Sequence, residues 1–256
     1  MYLDENAGRL VPLRDETNEH VEGLNQVQVE LPSEIGNMVH LRFLSVKESE
    51  IKTFPPSLGS TLNRIWSLIV HNDSKTNSGE EQAMQIVSIC RGIYKLALVG
   101  PIAELPKELP NYPNLTKLEL CRCGLKEDQM GILKKLPNLT TLRLLFGVFH
   151  ENTKILVFSK RVFPSLEFLY VHNMEEITEL RVEEGAMPSL CQLHIQYCGG
   201  LMTLPDGLRY LTNLRKLTII GMCKELHRRI EEDGEDFYKI QHVPSLVIGE
   251  PDKDDD

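Results

Sequence analysis

The sequence predicts an α/β solenoid, a fold in which short strand-and-return units stack side by side. The first observation is a recurring six-residue phrase with the pattern apolar-x-x-apolar-x-apolar. Its cleanest copy is LTKLEL, which starts at Leu115. The second is its nearly fixed step, since successive copies start 24, 28, 22, 24, 27, 24 and 24 residues apart. The starts are Leu41, Ile65, Ile93, Leu115, Leu139, Leu166, Leu190 and Leu214. Self-similarity at this period predicts about eight stacked repeats.

This phrase and period are typical of a leucine-rich-repeat horseshoe. In each repeat, the first apolar residue and the two apolar strand residues should enter the core, and the residues between them should face the concave side, because neighbouring strand residues alternate faces. A parallel β-sheet should therefore line the concave face. Short turns and helices should form the convex face, as Pro55, Pro56 and Gly59 indicate for the first repeat. Such a fold presents an extended surface, which favours binding over catalysis.

The longer repeats predict additional elements. Apolar residues from Met84 to Cys90 predict a convex helix closed by Gly92. The segment KEDQMGILKKLPNL predicts one or two helical turns, and the insertion after Leu145 predicts an extra strand at residues 155–158. Residues 224–230 predict a helix that covers the open end of the solenoid, and VPSLVI predicts a final short strand.

The charge distribution separates the repeat body from its carboxyl end. Formal net charge is −9, and it is accounted for by residues 231–236, with −5, and residues 250–256, with −4. Runs of like charge are typical of solvated segments. The body is neutral and lacks the clustered Lys and Arg that phosphate binding needs, so no nucleic-acid partner is predicted. The predicted organisation is an irregular segment or cap over 1–30, the solenoid over 31–230, and an acidic cap and tail over 231–256.

The cysteines follow the repeat rather than a disulfide framework. Of the six, Cys123 and Cys198 each lie eight residues after the first leucine of their repeat, where leucine-rich repeats place an inward-facing Asn or Cys. We therefore expect free, buried thiols and a reducing compartment. The amino-terminal residues lack the apolar stretch of a signal peptide, and no run of about 20 apolar residues occurs, so no membrane insertion is expected.

Catalytic and metal-binding patterns are weak in this sequence. His194 and Cys198, together with Cys223 and His227, have a spacing that imitates a zinc site. The repeat frame points these side chains in divergent directions, so no metal is predicted. Neither a Gly-x-Ser-x-Gly elbow nor a His-Glu-x-x-His helix is present. No catalytic residue and no cofactor are predicted.

The predicted concave face carries a candidate protein-binding patch. Parallel strands lie about 4.8 Å apart, so equivalent outward positions form columns across the sheet. One column ends with Glu119, Arg143, Tyr170, His194 and Thr218. Glu119 and Arg143 are neighbours in it and can form a surface ion pair. Aromatic and polar residues gather on the neighbouring strands, and grouped aromatic side chains are typical of protein interfaces. The patch comprises Arg143, Phe146, Phe168, Tyr170, His172, His194, Gln196 and Tyr197.

From about Leu31 to Ile248 the chain resembles the carboxyl-terminal leucine-rich-repeat region of plant intracellular immune receptors of the coiled-coil, nucleotide-binding class. The resemblance is carried by LPSEIGNMVHLRFLSV, VEEGAMPSLCQLHIQYCGGLMTLPDGLRYLTNLRKLTIIGMCKEL and DFYKIQHVPSL. It implies a cytoplasmic domain that senses a pathogen effector or a guarded host protein, and that restrains an adjoining nucleotide-binding module. The sequence contains no Gly-rich phosphate loop and no coiled coil, so nucleotide binding is not assigned to this chain.

Two other functions remain open from the residues alone. A non-immune leucine-rich-repeat adaptor, such as the substrate-reading arm of a ubiquitin ligase, would be expected to follow an F-box, and the short amino-terminal segment shows none. An extracellular receptor ectodomain would be expected to have a signal peptide and caps with paired cysteines, which are also missing.

Overall fold

The computed structural model describes residues 2–4, 9–11, 19–21, 41–47, 64–72, 84–102 and 104–251. These residues belong to two compact units, Met1–Leu118 and Glu119–Asp256. Both units consist of short strands joined by turns and brief helices, as the repeat phrase predicts. The turns predicted around Pro55, Pro56 and Gly59 lie outside the described residues.

The first unit contains an antiparallel pair and a parallel sheet. Its strands are β1 (Tyr2–Asp4), β2 (Arg9–Val11), β3 (Glu19–Val21), β4 (Leu41–Lys47), β5 (Ser67–His71) and β6 (Lys95–Val99). Strands β1 and β2 are antiparallel, whereas β3 to β6 run parallel in chain order. The predicted helix is confirmed as α1, residues 84–89. The buried Tyr112 hydroxyl donates a hydrogen bond of 2.6 Å to the Val87 carbonyl of this helix, which joins α1 to the following repeat.

The second unit contains most of the strands of the ten-stranded parallel sheet. Its strands are β7 (Lys117–Cys121), which begins two residues before the unit boundary, β8 (Thr141–Leu145), β10 (Phe168–His172), β12 (Gln192–Gln196), β13 (Lys216–Ile220) and β14 (Ser245–Ile248). From β8 onward, neighbouring strands pair in parallel without a register shift. This register aligns Arg143, Tyr170, His194 and Thr218 in one row, as predicted, and Val247 of β14 extends that row.

The extra strand and the helices predicted in the second unit are confirmed. The insertion after Leu145 forms β9 (Ile155–Phe158), which pairs in parallel with β11 (Glu179–Val182) as a separate two-stranded sheet. A 3-10 turn, Glu127–Gln129, leads into helix α2 (Met130–Leu133). Helix α3 (Lys224–Arg229) follows β13, and the thiol of Cys223 accepts a hydrogen bond from its Leu226 amide.

The core consists of the apolar residues of the repeat phrase. In the Leu115 repeat, for example, Leu115, Leu118 and Leu120 are each at most 1% exposed. Cys90, Cys123, Cys198 and Cys223 are buried, and all six cysteines are free. Burial of a leucine side chain contributes roughly 1.5–3 kcal/mol, so the repeated phrase stabilises each strand in its place.

The acidic segment at residues 231–236 corrects one expectation. We predicted that it is solvated, but Asp236 is only 1% exposed. Its carboxylate accepts a hydrogen bond of 2.9 Å from the Leu204 amide and forms ion pairs with Arg229, at 3.2 Å, and Lys239, at 2.9 Å. A buried carboxylate needs such partners to offset the loss of water. Charge density alone does not distinguish this carboxylate from its exposed neighbours.

Within the described part of the chain, none of the helices is long and apolar enough to cross a membrane.

Candidate protein-recognition surface

The structure brings seven of the eight predicted patch residues into direct mutual contact. The rings of Phe146, Tyr170, His172, His194 and Tyr197 form what we call the aromatic cluster. It lies on β10 and β12 and on the residues that directly follow β8 and β12. Arg143 and Gln196 adjoin it. The ring of Phe168, on β10, is 39% exposed, and it shares the surface through the register of its strand.

His172 is at the centre of the aromatic cluster. Its ring centroid lies 4.9 Å from that of Phe146 and 5.3 Å from that of Tyr197, both in edge-to-face geometry, and it is stacked at 5.9 Å on Tyr170. The Nδ1 atom of His172 is buried and has no hydrogen-bond partner within the described residues. An unsatisfied buried polar atom costs about 1–3 kcal/mol, so stability alone does not account for a histidine here.

Tyr170, a member of the aromatic cluster, also contacts Arg143, its neighbour in the same row of the sheet. The Arg143 guanidinium lies 5.1 Å from the Tyr170 ring centroid, and Arg143 also forms the predicted ion pair with Glu119, at 3.2 Å. The Tyr170 hydroxyl donates a 2.8 Å hydrogen bond to Gln196 Oε1, and the His194 ring lies 5.2 Å away. Partial burial, together with the nearby Lys216 ammonium, lowers the pKa of His194. A lowered pKa favours the neutral form of the His194 ring.

The residue after each of the strands β7, β8, β10, β12 and β13 has a left-handed backbone. The φ angles are 54° at Arg122, 55° at Phe146, 52° at Asn173, 52° at Tyr197 and 59° at Gly221. The amide of this residue still donates to the next strand, as in Phe146 to His172 at 2.9 Å and Tyr197 to Ile220 at 2.9 Å. A left-handed backbone costs a residue other than glycine about 1–3 kcal/mol. The fold therefore holds the backbone of Phe146 and Tyr197 in an unfavourable conformation, and the edge-to-face contacts with His172 position their rings.

Two further residues adjoin the patch and are not among the predicted ones. Arg122, one residue after β7, places its guanidinium 5.4 Å from the Phe146 ring centroid. Gly221, one residue after β13, lies against Tyr197, since a Cβ there would stand 2.4 Å from the Tyr197 ring. Both occupy the repeat position of Phe146 and Tyr197, so extending the column analysis by one residue would have found them.

The residues that imitate a zinc site have separate roles. The Cys198 thiol donates to the Gln196 carbonyl at 3.4 Å, whereas the Cys223 thiol contacts the Leu201 carbonyl at 3.3 Å. His227 pairs through Nε2 with the Gly249 carbonyl at 2.9 Å. Across the described ranges, no group of three or more His, Cys, Asp and Glu side chains is arranged to hold a metal ion.

Comparison with known proteins gives one matching family, described as a leucine-rich repeat region, over residues 60–237. Among curated relatives, disease resistance protein RPP8 of Arabidopsis thaliana is 35% identical over 212 residues, which is 82% of this chain. The probable disease resistance RPP8-like protein 4 is 39% identical over 152 residues, and the disease susceptibility protein LOV1 is 35% identical over 192 residues, both from Arabidopsis thaliana. This chain covers 23% of RPP8, 16% of the RPP8-like protein and 20% of LOV1.

Among solved structures, the leucine-rich repeat domain of the type III effector XopL superposes with a TM-score of 0.55 at 19% identity, covering 86% of this chain and 72% of that one. At that identity the likeness concerns the fold alone.

Proposed function

We propose, from the premise that this chain belongs to the leucine-rich repeat region family and is similar to plant disease resistance proteins, that it is the protein-recognition domain of an intracellular plant immune receptor. In this proposal the chain acts in the cytoplasm and senses a pathogen effector, either directly or through a guarded host protein. It also helps to autoinhibit an adjoining nucleotide-binding module. The proposed role is recognition and involves no catalysis.

The observation that carries the proposal is the aromatic cluster. Phe146 and Tyr197 are 37% and 42% exposed, although the rings of both are held against His172. Exposed rings held rigidly bind a partner at a small cost in conformational entropy. Tyr and Arg are also enriched among the residues that dominate binding energy at protein interfaces. The mixture of rings, the Arg143 guanidinium and the Gln196 amide suits a protein surface with both apolar and polar groups.

The test of effector sensing is the double variant Tyr170→Ala, His194→Ala in a full-length receptor that contains this chain. Loss of two central interface residues should weaken effector recognition by about tenfold or more, while the thermal midpoint of the domain changes little because both side chains are partly exposed. The measurement is the cell-death response in leaf tissue on co-expression with each member of an effector library. Tyr210→Ala is the matched control, since Tyr210 is 41% exposed but lies outside the cluster.

Either of two outcomes contradicts the sensing proposal. One is a full cell-death response from a folded double variant, and the other is an equal loss of response in Tyr210→Ala. Autoinhibition is tested separately, by co-purification of this chain with the nucleotide-binding module supplied in trans. Failure of the folded chain to associate would contradict that part of the proposal.

A further inference from the structure

Strand β14 lies at one end of the ten-stranded sheet, and among the described strands it pairs with β13 alone. Its Leu246 and Ile248 lie in register with Leu217 and Ile219 of β13, which are each 1% exposed. Leu246 is nevertheless only partly buried, and Ile248 is 38% exposed. Val247, on the opposite face, is 41% exposed. Both faces of this edge strand are therefore apolar and open.

The backbone of β14 also has hydrogen-bonding groups that β13 does not use. The amides of Ser245 and Gly249 donate hydrogen bonds of 3.1 Å and 2.8 Å to carbonyls of the β13 segment. A strand in a parallel pair bonds its neighbour through every second residue. The amides and carbonyls of Leu246 and Ile248 therefore point away from β13. An edge of this kind is a template for another strand.

The four residues of β14 contain no feature that would prevent such pairing. Proteins often protect an edge strand with a lysine, a proline or a bulge inside the strand. None of the three occurs in Ser245–Ile248, which pairs with β13 without a register shift. Pro244 and Pro251 stand on either side, and proline cannot donate to a ladder of hydrogen bonds. Pairing with another strand is thereby confined to the residues between them.

The start of β14 lies in a basic part of this edge. Residues 211–216 lead into β13 and residues 237–244 lead into β14; together they contain three cations and no acid. The three are Arg215, Lys216 and Lys239. Lys239 is already paired with Asp206 and Asp236, so the charge of the other two is left uncompensated within these segments.

The end of β14 is acidic. Residues 249–256 follow the strand and contain five acids and one lysine, a net charge of −4. Residues 221–225 follow β13 and contribute Lys224 and Glu225, whose charges cancel. An antiparallel pair of two such strands sets each basic start against the acidic end of the other strand, whereas a parallel pair sets acid against acid. Complementary charges of this kind fix the orientation of an interface.

We propose that β14 pairs antiparallel with β14 of a second copy of this chain, about a two-fold axis. The amide and carbonyl of Leu246 bond the carbonyl and amide of Ile248 in the second copy, and the two-fold axis repeats this pair. The arrangement uses all the backbone groups of both residues that point away from β13. Val247 then faces Val247 of the second copy at the axis, where directly opposite side chains contact each other. A two-fold contact of one surface with itself is the commonest form of association between identical chains.

The first experiment is sedimentation velocity of the full chain over a range of concentrations. The contact is smaller than that of a permanent dimer, so the Kd should lie between about 10 µM and 1 mM. Each copy carries a formal charge of −9, which opposes association. The measurement therefore uses about 0.15 M salt, where the screening length is about 8 Å. The mass should rise with concentration and level off at two copies.

Either of two sedimentation results overturns the proposal. One is the mass of a single copy up to about 1 mM, and the other is growth beyond two copies, which a closed two-fold contact forbids.

Variants at Val247 test the two-fold contact itself. Val247→Lys and Val247→Glu each place like charges side by side at the axis, so each variant alone should remain a monomer. An equimolar mixture of the two should form a mixed dimer, and a mixture that stays monomeric contradicts the antiparallel register. Thermal unfolding should change little, because Val247 is 41% exposed. Ile155→Lys is the matched control: Ile155 is a strand residue with 42% exposure, and this variant should dimerise like the native chain.

Hydrogen exchange tests the backbone pairing without a substitution. The amides of Leu246 and Ile248 should exchange several-fold more slowly in the concentrated than in the dilute chain, whereas the Val247 amide, directed toward β13, should not change. Exchange of Leu246 and Ile248 that is independent of concentration would count against the pairing. The interface does not rest on the proposed function. The double variant Tyr170→Ala, His194→Ala should dimerise normally, so the two proposals fail separately.

Discussion

Asp236 is the residue whose replacement should cost the most stability at the carboxyl end of the chain. Asp236→Ala removes the partner of the mostly buried Arg229 and Lys239 side chains, which are 23% and 8% exposed. Removing one member of a buried ion pair costs about 3–5 kcal/mol. Urea denaturation should show this loss. Glu235→Ala is the control and should change stability by about 1 kcal/mol or less, because its carboxylate is 76% exposed. Similar losses in both variants would contradict the assignment.

The same carboxylate should make stability depend on acid pH. Burial alone would raise the pKa of Asp236, but hydrogen bonds from Arg229, Lys239 and the Leu204 amide hold it below its ordinary value of 3.8. A carboxyl with a depressed pKa stabilises the folded state above the unfolded pKa and loses that contribution as pH falls through the folded pKa. The free energy of unfolding should therefore decrease below about pH 4. Asp236→Asn should flatten this decrease, and an unchanged acid limb would contradict the role.

The sequence predicts core residues better than it predicts buried charges. Leucines of the repeat phrase are recognisable because their spacing matches the strand period, and that period requires burial. Asp236 is one of five acids within six residues, and nothing local distinguishes it. Its partner amide belongs to Leu204, 32 residues earlier, so only the folded chain shows which carboxylate is buried.

At the scale of the strand, the turn residue that directly follows a strand should be sensitive to substitution where that residue is glycine. Gly100 follows β6 with a φ of 94°, and a Cβ there would stand 1.8 Å from the Asn72 carbonyl oxygen. Gly100→Ala should therefore destabilise the chain by about 2–4 kcal/mol in urea denaturation. Gly131→Ala is the control, because Gly131 lies inside helix α2 with nothing within 4 Å of its added Cβ.

Gly131→Ala should be neutral or stabilising by up to about 1 kcal/mol, since alanine restricts the unfolded chain and favours helix. If Gly100→Ala has as small an effect as Gly131→Ala, the strand-end turn adapts to a side chain, and the unfavourable backbone conformation inferred for Phe146 and Tyr197 would be wrong.

The elements themselves were largely predictable, and their boundaries less so. Strand β9 at Ile155–Phe158 was predicted from a short apolar run within an insertion, because such a run must pair or be buried. Its partner β11 was not, since pairing across 20 residues depends on tertiary packing. Strands β8, β10 and β12 end at Leu145, His172 and Gln196, and a left-handed residue directly follows each of them. The repeat phrase itself does not mark this strand end.

For the whole molecule, thiol reactivity should report the integrity of the fold. Burial raises the pKa of Cys90 and Cys123 to about 12 and that of Cys198 to about 11, so these thiols lack reactive thiolate at pH 8. Ellman's reagent should modify the half-buried Cys121 and Cys191 first, and all six cysteines only in denaturant. Fewer than six thiols in denaturant without reductant would reveal a disulfide and contradict the free-cysteine structure.

The predicted binding patch shows what sequence can and cannot supply at this scale. The repeat register alone placed Tyr170 beside His194 and Arg143, and the structure confirms both neighbours. Sequence cannot indicate that Nδ1 of His172 lacks a hydrogen-bond partner, because that depends on every side chain around it. Binding of a partner at this patch is the prediction that the receptor variants test.

The ion-pair network around Asp236 bears on how receptors of this family can be recombined. Leu204 supplies both its amide, to Asp236, and its carbonyl, to Lys239 at 2.7 Å. A crossover between two parental genes that falls between residues 204 and 239 takes the two sides of this network from different parents. Productive chimaeras should therefore have few junctions in that interval, so the last repeats should be inherited together with the segment that closes them.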